Sequence, residues 1–364
     1  VQYEIRRLKK KFPNKKIVVT GCAAQINPKY YESLPEVDFV IGNIEKIQKV
    51  TWDNLSKNSL TQVGDIFENE YINENIVKKF EGKSRAYIEI QQGCNHRCTF
   101  CIIPYGRGNN RSIPVGLIIK RIKELVQNKY KEFVLTGVDI TDYGKDLPGA
   151  PNLFQLIKRI LNLIPEIEQL RLSSIDCGEI SEDFWKILNN KKLMPHFHIS
   201  LQSGNDIILK RMKRRHTRKD VIEFCKKVKN IRKDAVFGAD IIAGFPTENN
   251  EMFEDSLKLI KECNLTHLHI FPYSKRNGTP ASKMPQIPIS TIYQRAEKLR
   301  KEGKENLSAY LKKQIGKTTS MLVEKNDIEG SYGKTKHFTK IFVNKIFEEG
   351  TIIDCKILHV NNNI

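Results

Sequence analysis

The chain has 364 residues, with 61 Lys or Arg against 42 Asp or Glu, a formal net charge of +19 and a sequence pI near 9.4. At 40% hydrophobic residues and a mean hydropathy of −0.44 it can build two or three domains around a substantial core. No apolar run approaches the ~20 residues of a membrane span, so no membrane partner is expected, whereas the basic excess points to a polyanion.

From the N-terminus, Arg6-Arg7-Leu8-Lys9-Lys10-Lys11, with Lys15-Lys16 beyond, is a basic run. It suits a solvated helix face as well as a nucleic-acid contact. Ile17-Val18-Val19 has strand character and ends at Thr20-Gly21-Cys22. A helix-like stretch and a second short strand, Phe39-Val40-Ile41-Gly42, complete part of an open α/β unit over residues 1–50. Residues 51–84 are polar, rich in Asn, Lys and Glu, and are expected to be a linker.

Residues 85–316 alternate strands and helices. Predicted strands are Tyr87–Ile90, Phe133–Thr136, Leu170–Ser173, Phe197–Leu201, Val236–Ala243 and Leu268–Phe271. Between them lie predicted helices Gly116–Asn128, Leu153–Leu163, Glu182–Leu188, Arg218–Ile231 and Asn250–Cys263, with Glu297–Lys312 following. Six β/α repeats with right-handed crossovers imply a curled parallel sheet, a partial barrel short of the closed eightfold one. Such sheets place their sites beyond the carboxyl ends of the strands. There stand Gly137 and Asp139, Ser173, Ser200 and Gln202, and Gly244. Thr247-Glu248-Asn249 also suits a plain helix start. A second basic run, Lys210-Arg211-Met212-Lys213-Arg214-Arg215-His216, has the same two readings as the first. Residues 317–364 change character: Ser320–Glu324, Phe338–Val343 and Ile352–Leu358 are short predicted strands of a small antiparallel barrel or sandwich; the block resembles the RNA-binding TRAM domain, and that resemblance implies that Tyr332–Thr339 is its glycine turn and polar loop.

The chain has eight cysteines. Cys177, Cys225, Cys263 and Cys355 are scattered in mostly apolar surroundings and read as buried structural thiols. Cys94, Cys98 and Cys101 form C-x3-C-x2-C just after a predicted strand. Three thiolates so close can grip one soft metal centre, which points to a reducing, cytoplasmic setting. Structural zinc usually takes four ligands in two separated pairs, and electron-transfer iron–sulfur clusters use four cysteines. With no fourth Cys nearby, the spacing suits a cluster with one iron lacking a protein ligand. A structural zinc or redox-inert centre is the alternative.

Cys94–Cys101, with Ile102-Ile103-Pro104-Tyr105-Gly106-Arg107-Gly108 and Arg111-Ser112 after it, resembles the radical S-adenosylmethionine (SAM) enzymes, and within them the methylthiotransferases. The six strand ends resemble that family in order. The resemblance implies an α/β chain with a (β/α)6 partial barrel, a partial N-terminal α/β domain, and a C-terminal barrel like the RNA-binding TRAM domain. It implies that Cys94, Cys98 and Cys101 hold a [4Fe–4S] cluster whose open iron chelates SAM, which is cleaved to a 5′-deoxyadenosyl radical. Gly137 and Asp139 would lie by the methionyl group, Ser173, Ser200 and Gln202 in the SAM pocket, and Gly244 by the adenine. Thr20-Gly21-Cys22-Ala23-Ala24-Gln25 resembles the third cysteine segment of the family's N-terminal domain, whose three cysteines hold a second, auxiliary [4Fe–4S] cluster that delivers sulfur. The other two would lie upstream of Val1, so the chain is expected to be a fragment with that site incomplete.

The implied reaction is methylthiolation at C2 of N6-threonylcarbamoyladenosine 37 in a tRNA anticodon loop, with a flavodoxin- or ferredoxin-type electron donor. Gln91–Cys98, Lys210–His216 and Phe271-Pro272-Tyr273-Ser274 resemble that branch. The alternatives are isopentenyladenosine 37, a ribosomal-protein aspartate, and, in another class, a non-catalytic RNA-binding protein with a structural metal site.

Overall fold

The structure, a computed structural model, describes residues 1–55, 60–68, 77 and 79–361. The chain forms two units: one of residues 1–75, 92–97 and 101–111, the other of residues 76–91, 98–100 and 112–364.

In the first unit, helix α1 (Gln2–Lys11) leads to β1 (Val18–Thr20), α2 (Cys22–Ile26), α3 (Pro28–Glu32), β2 (Phe39–Ile41), α4 (Lys49–Asp53) and β3 (Thr61–Gln62). The three strands pair in parallel in the order β1-β2-β3. Ile5, Val19, Ala24, Tyr31, Leu34 and Val40 bury together as its core. The first basic run is therefore α1, with Ile5 inward; Arg6 pairs with Glu36 and Lys9 with Asp38. The expected linker is more structured than its composition suggests, because β3 extends the sheet of β2. Of that segment, residues 56–59, 69–76 and 78 lie outside the described residues.

The chain continues through β4 (Arg85–Gln92), α5 (Ile103–Arg107, in the first unit), β5 (Arg111–Ser112), α6 (Val115–Gln127), β6 (Glu132–Gly137), α7 (Leu153–Leu163), β7 (Gln169–Leu172) and β8 (Ser174–Ile175). Then follow α8 (Glu182–Ile187), β9 (His196–Gln202), α9 (Asp206–Met212), α10 (Arg218–Ile231), β10 (Val236–Ala243), α11 (Asn250–Glu262), β11 (Leu265–Pro272) and α12 (Ile289–Lys312). Strands β4-β6-β7 and β8-β9-β10-β11 pair in parallel, forming the (β/α)6 partial barrel expected from the sequence. The third predicted strand is split at Ser173: β7 pairs with β6 and β8 with β9. The helices start where local chemistry starts them. Asn152 and Gln155 form a capping box on α7, Thr217 and Asp220 one on α10, and Asn249 caps α11. Helix α12 begins at Ile289, ahead of the predicted Glu297, since Pro288 fixes its entry.

Strand alternation sorts the side chains. Ala86, Ile88, Ile90, Phe133, Leu135, Leu170, Phe197, Ile199, Ala239 and Ile241 form the buried apolar face. Each fully buried Leu, Ile or Phe contributes about 1.5–3 kcal/mol. The opposite, inner face is polar and carries Arg85, Glu132, Arg171, Ser173, His196, His198, Ser200, Asp240, His267 and His269. A closed eightfold barrel fills this space with branched apolar layers; here it is lined for polar ligands.

The C-terminal sheet is antiparallel, in the order β14-β13-β12-β15, from β12 (Thr318–Asn326), β13 (Ser331–Thr335), β14 (Lys340–Val343) and β15 (Ile352–Lys356). One expectation needs correcting. Tyr332–Thr335, expected to belong to a glycine turn and polar loop, lies in strand β13, and Gly333 is needed because a Cβ there would lie 1.9 Å from the Leu322 carbonyl oxygen. The loop after it carries Phe338 to the amino ends of the barrel strands. Its ring stacks on His196, with centroids 5.4 Å apart, beneath the Arg171 guanidinium at 4.9 Å. Glu132, fully buried, takes hydrogen bonds from Arg85 at 2.6 Å and Arg171 at 3.2 Å. Burial works against its charge; the two guanidinium groups outweigh that and hold the carboxyl below its ordinary range.

Candidate active site

In the first unit, Cys22 opens α2 directly after β1, with Gly21 turning the chain at φ +99°. The α2 segment packs on Gly106, where an added Cβ would lie 2.9 Å from the Cys22 Cβ. Asn43 ties the two together: its Nδ2 donates to the Gly106 carbonyl at 2.5 Å and lies 3.8 Å from the Cys22 Sγ. The same stretch supports Cys94, whose N–H donates to the Gly108 carbonyl at 3.1 Å. Gly93, at φ +70°, has no room for a Cβ, which would meet the Asn109 carbonyl oxygen at 1.8 Å. Two motifs far apart in sequence, Thr20–Gln25 and Tyr105–Gly108, thus share one packed surface. Cys94 and Cys101 are half-buried.

In the second unit, Cys98 is buried. The Arg214 Nη1 lies 3.7 Å from its Sγ. The other Arg214 nitrogen, Nη2, donates to Asp176 at 2.7 Å and to the Ser200 carbonyl at 2.8 Å. Asp176 is in turn fixed by His216 at 2.9 Å and by the Gly178 N–H at 3.1 Å. Burial opposes the Asp176 charge, but the His216 hydrogen bond and the Arg214 charge outweigh it and hold the carboxyl at about 2. Next to Cys98, Thr99 donates from its N–H to the Met212 carbonyl at 3.1 Å and from its hydroxyl to the Arg211 carbonyl at 2.7 Å. The end of α9 therefore clamps the thiol-bearing segment.

This revises the second basic run. His216 is buried and Arg214 half-buried; both serve Asp176 and Cys98 and do not form an outward phosphate-binding face. Lys210, Arg211, Lys213 and Arg215 stay exposed. The signal that could have shown this was the buried Met212 in the middle of the run, which makes it a helix end with an inward side.

Gly137 sits against Gln91, with the carbonyl oxygen and Oε1 both 2.8 Å from any Cβ placed there, and the Asp139 N–H donates to the same Oε1 at 2.9 Å. The Ser173 Oγ is buried with no hydrogen-bond partner among the described residues, at the point where β7 gives way to β8. Ser200 and Cys98 share Arg214. Gln202 closes β9 with φ +70°. Gly244 is buried at φ +72°; its open side faces Ile292 of α12 at 2.7 Å and its N–H donates to Glu248 at 3.1 Å. A further group, His198, Asp240 and His269, lies on the inner face, with Asp240 Oδ1 2.9 Å from His198 and 3.1 Å from His269. Its members stand inside the strands, away from the ends that sequence reasoning searches.

Three thiols on a short loop suit an iron–sulfur cluster, and in the second unit a lumen with a hydroxyl unpartnered among the described residues suits a polar cofactor. The comparisons agree. The Radical SAM superfamily profile matches residues 88–260. The threonylcarbamoyladenosine tRNA methylthiotransferase MtaB of Rickettsia prowazekii is 49% identical over 361 residues, covering 98% of this chain and 83% of that protein. Its namesake in Aquifex aeolicus is 38% identical, covering 88% and 78%. A tRNA-2-methylthio-N(6)-dimethylallyladenosine synthase of Clostridium novyi is 32% identical, covering 99% and 81%. Among solved structures, the radical SAM methyltransferase TsrM of Kitasatospora setae, bound to tryptophan and a SAM analogue, has a TM-score of 0.57 at 14% identity, covering 77% of this chain and 59% of that one; this likeness concerns the fold. The chain belongs to the radical SAM methylthiotransferase family.

Proposed function

We propose that the chain transfers a methylthio group to C2 of N6-threonylcarbamoyladenosine 37 in tRNA. The observation that carries this is the likeness, over nearly its whole length, to a threonylcarbamoyladenosine tRNA methylthiotransferase, in a chain that carries the three-cysteine loop Cys94–Cys101. Cys94, Cys98 and Cys101 are the residues to hold a [4Fe–4S] cluster, which when bound supplies the electron that cleaves SAM. Arg214 draws electron density from the Cys98 sulfur and, through Asp176 and His216, keeps that sulfur in one place. Ser173 offers a buried hydroxyl to the polar edge of SAM. Gly137 lets the backbone approach closely, and Asp139, Ser200 and Gln202 complete the pocket wall; Gly244 shapes the turn behind it. Cys22 is the candidate ligand for an auxiliary cluster, positioned by Asn43 and Gly106.

The substrate base must leave its stack to reach such a pocket, as unpaired loop bases can. Exposed Lys317, Lys340, Lys345 and Lys356 on the C-terminal sheet and the α1 lysines offer charge for the flanking phosphates. A flavodoxin- or ferredoxin-type protein is the proposed reductant, and the cytoplasm the proposed site of action. Nucleoside mass spectrometry of tRNA from cells lacking the gene tests the substrate. The expected result is loss of the 2-methylthio group from threonylcarbamoyladenosine with isopentenyladenosine derivatives intact. The reverse pattern would overturn the reading.

A further inference from the structure

The barrel lumen carries a histidine arrangement that neither the cluster nor the SAM pocket uses. Inner-face residues of three neighbouring strands meet at one row. His198 of β9 places Nε2 2.9 Å from Asp240 Oδ1 on β10, and His269 of β11 places Nδ1 3.1 Å from the same oxygen. The two rings are 4.6 Å apart and tilted by 33°. His198 is nearly buried, whereas the His269 side chain is 63% exposed. Strand β11 is the edge of its sheet, so His269 borders the side on which the partial barrel is open. It also lies about 10 Å, by the rise of a β-strand, from the carboxyl end of β11 at Pro272.

The four inner-face histidines differ. Burial, reinforced by neighbouring positive groups, pushes His196 well down and His267 to about 4, so both are neutral. The hydrogen bond to Asp240 instead raises His269. With Nδ1–H spent on Asp240, its Nε2 has no hydrogen bond among the described residues and is directed away from that carboxylate. The inner face therefore presents one exposed imidazole, oriented by Asp240, whose Nε2 becomes a donor when the ring is protonated.

We infer that His269, held by Asp240 and backed by His198, receives the carboxylate of the threonylcarbamoyl tail and so separates this substrate from adenosines with an apolar tail. The inference rests on the proposed substrate. Its chemistry is the distinguishing chemistry of that tail: an N6-substituent ending in a carboxylate and a hydroxyl needs a donor, whereas a dimethylallyl tail needs an apolar wall. A site built to donate to a charged group rejects the analogue lacking it more strongly than an apolar pocket rejects an added group. His269 is a specificity-determining residue here; it takes no part in cleaving SAM.

The test is binding, which needs no turnover. Anticodon stem-loop RNAs carrying threonylcarbamoyladenosine, its carboxylate methyl ester, isopentenyladenosine or plain adenosine at position 37 are titrated against the protein by fluorescence anisotropy. Wild type should prefer the free carboxylate over the ester and over adenosine by about tenfold or more. His269→Phe should bind all three alike, and His269→Arg, which restores a cation, should recover part of the preference. Circular dichroism and wild-type affinity for the adenosine stem-loop show that each variant is folded. If wild type prefers isopentenyladenosine, the substrate reading falls. If wild type prefers threonylcarbamoyladenosine and both variants keep that preference, the assignment of His269 alone falls.

Discussion

At the amino ends of its strands the barrel is shut: Glu132 is locked between Arg85 and Arg171, and Phe338 from the C-terminal sheet lies on His196 beneath Arg171. At the carboxyl ends the same strands finish in positive-φ turns, a Ser173 hydroxyl unpartnered among the described residues, and a cysteine whose sulfur lies 3.7 Å from the Arg214 guanidinium. One end spends its polar groups on each other. The other orients its polar groups and leaves the Ser173 hydroxyl without a partner among the described residues. The difference teaches how a polar-lined barrel stays folded: the floor supplies the cohesion that an apolar interior would otherwise provide, leaving the mouth unfilled for a ligand.

Substitutions at the two ends should therefore separate activity from stability. The largest effect belongs to the mouth. Cys98→Ala should abolish reductive cleavage of SAM and lower the iron retained after anaerobic reconstitution, with the thermal melt unchanged. Retained cleavage would contradict the ligand assignment. At the floor, Glu132→Ala leaves the buried Arg171 guanidinium without its carboxylate and Arg85 with Glu324 alone, and should cost about 3 kcal/mol in urea denaturation. A loss under 1 kcal/mol would mean that the ion triad does not close the barrel. Phe338→Ala, at a half-buried ring, should cost about 2 kcal/mol and make the C-terminal sheet the first region cut in limited proteolysis.

The smallest effect lies midway, at Asp240. Burial opposes its charge, but hydrogen bonds from His198 and His269 outweigh that and hold the carboxyl at about 2, against an ordinary 3.8. A depressed carboxyl stabilises the fold above its ordinary value and loses that contribution as pH falls through the folded one. The urea midpoint should therefore drop between about pH 4 and 2, and less steeply in Asp240→Asn. Equal slopes would show that the imidazoles do not hold the carboxylate.

Some of this was legible in the chain and some was not. Leu153–Leu163 and Arg218–Ile231 were found to the residue, because Asn152 and Thr217 cap them and the apolar spacing points one way. Tyr332–Thr335 reads as turn and loop because Gly, Lys and Thr give no apolar alternation; pairing with two neighbours makes it part of a strand. Lys210–His216 looked like surface charge, since nothing local tells a buried Arg from an exposed one. Asp176, brought to it from the end of another strand, turns Arg214 and His216 inward. His198 and His269 fall inside the predicted strands Phe197–Leu201 and Leu268–Phe271, and nothing local pairs them, because their meeting at Asp240 depends on strand register.

By itself the sequence determined the order of β/α units, the three-thiol loop and the family, because periodicity, capping and ligand spacing are properties of neighbouring residues. Only the tertiary structure decided which charges are machinery and which are surface, how the floor closes, and which histidines meet Asp240. Those depend on partners tens or hundreds of residues away and on the water that folding removes around them.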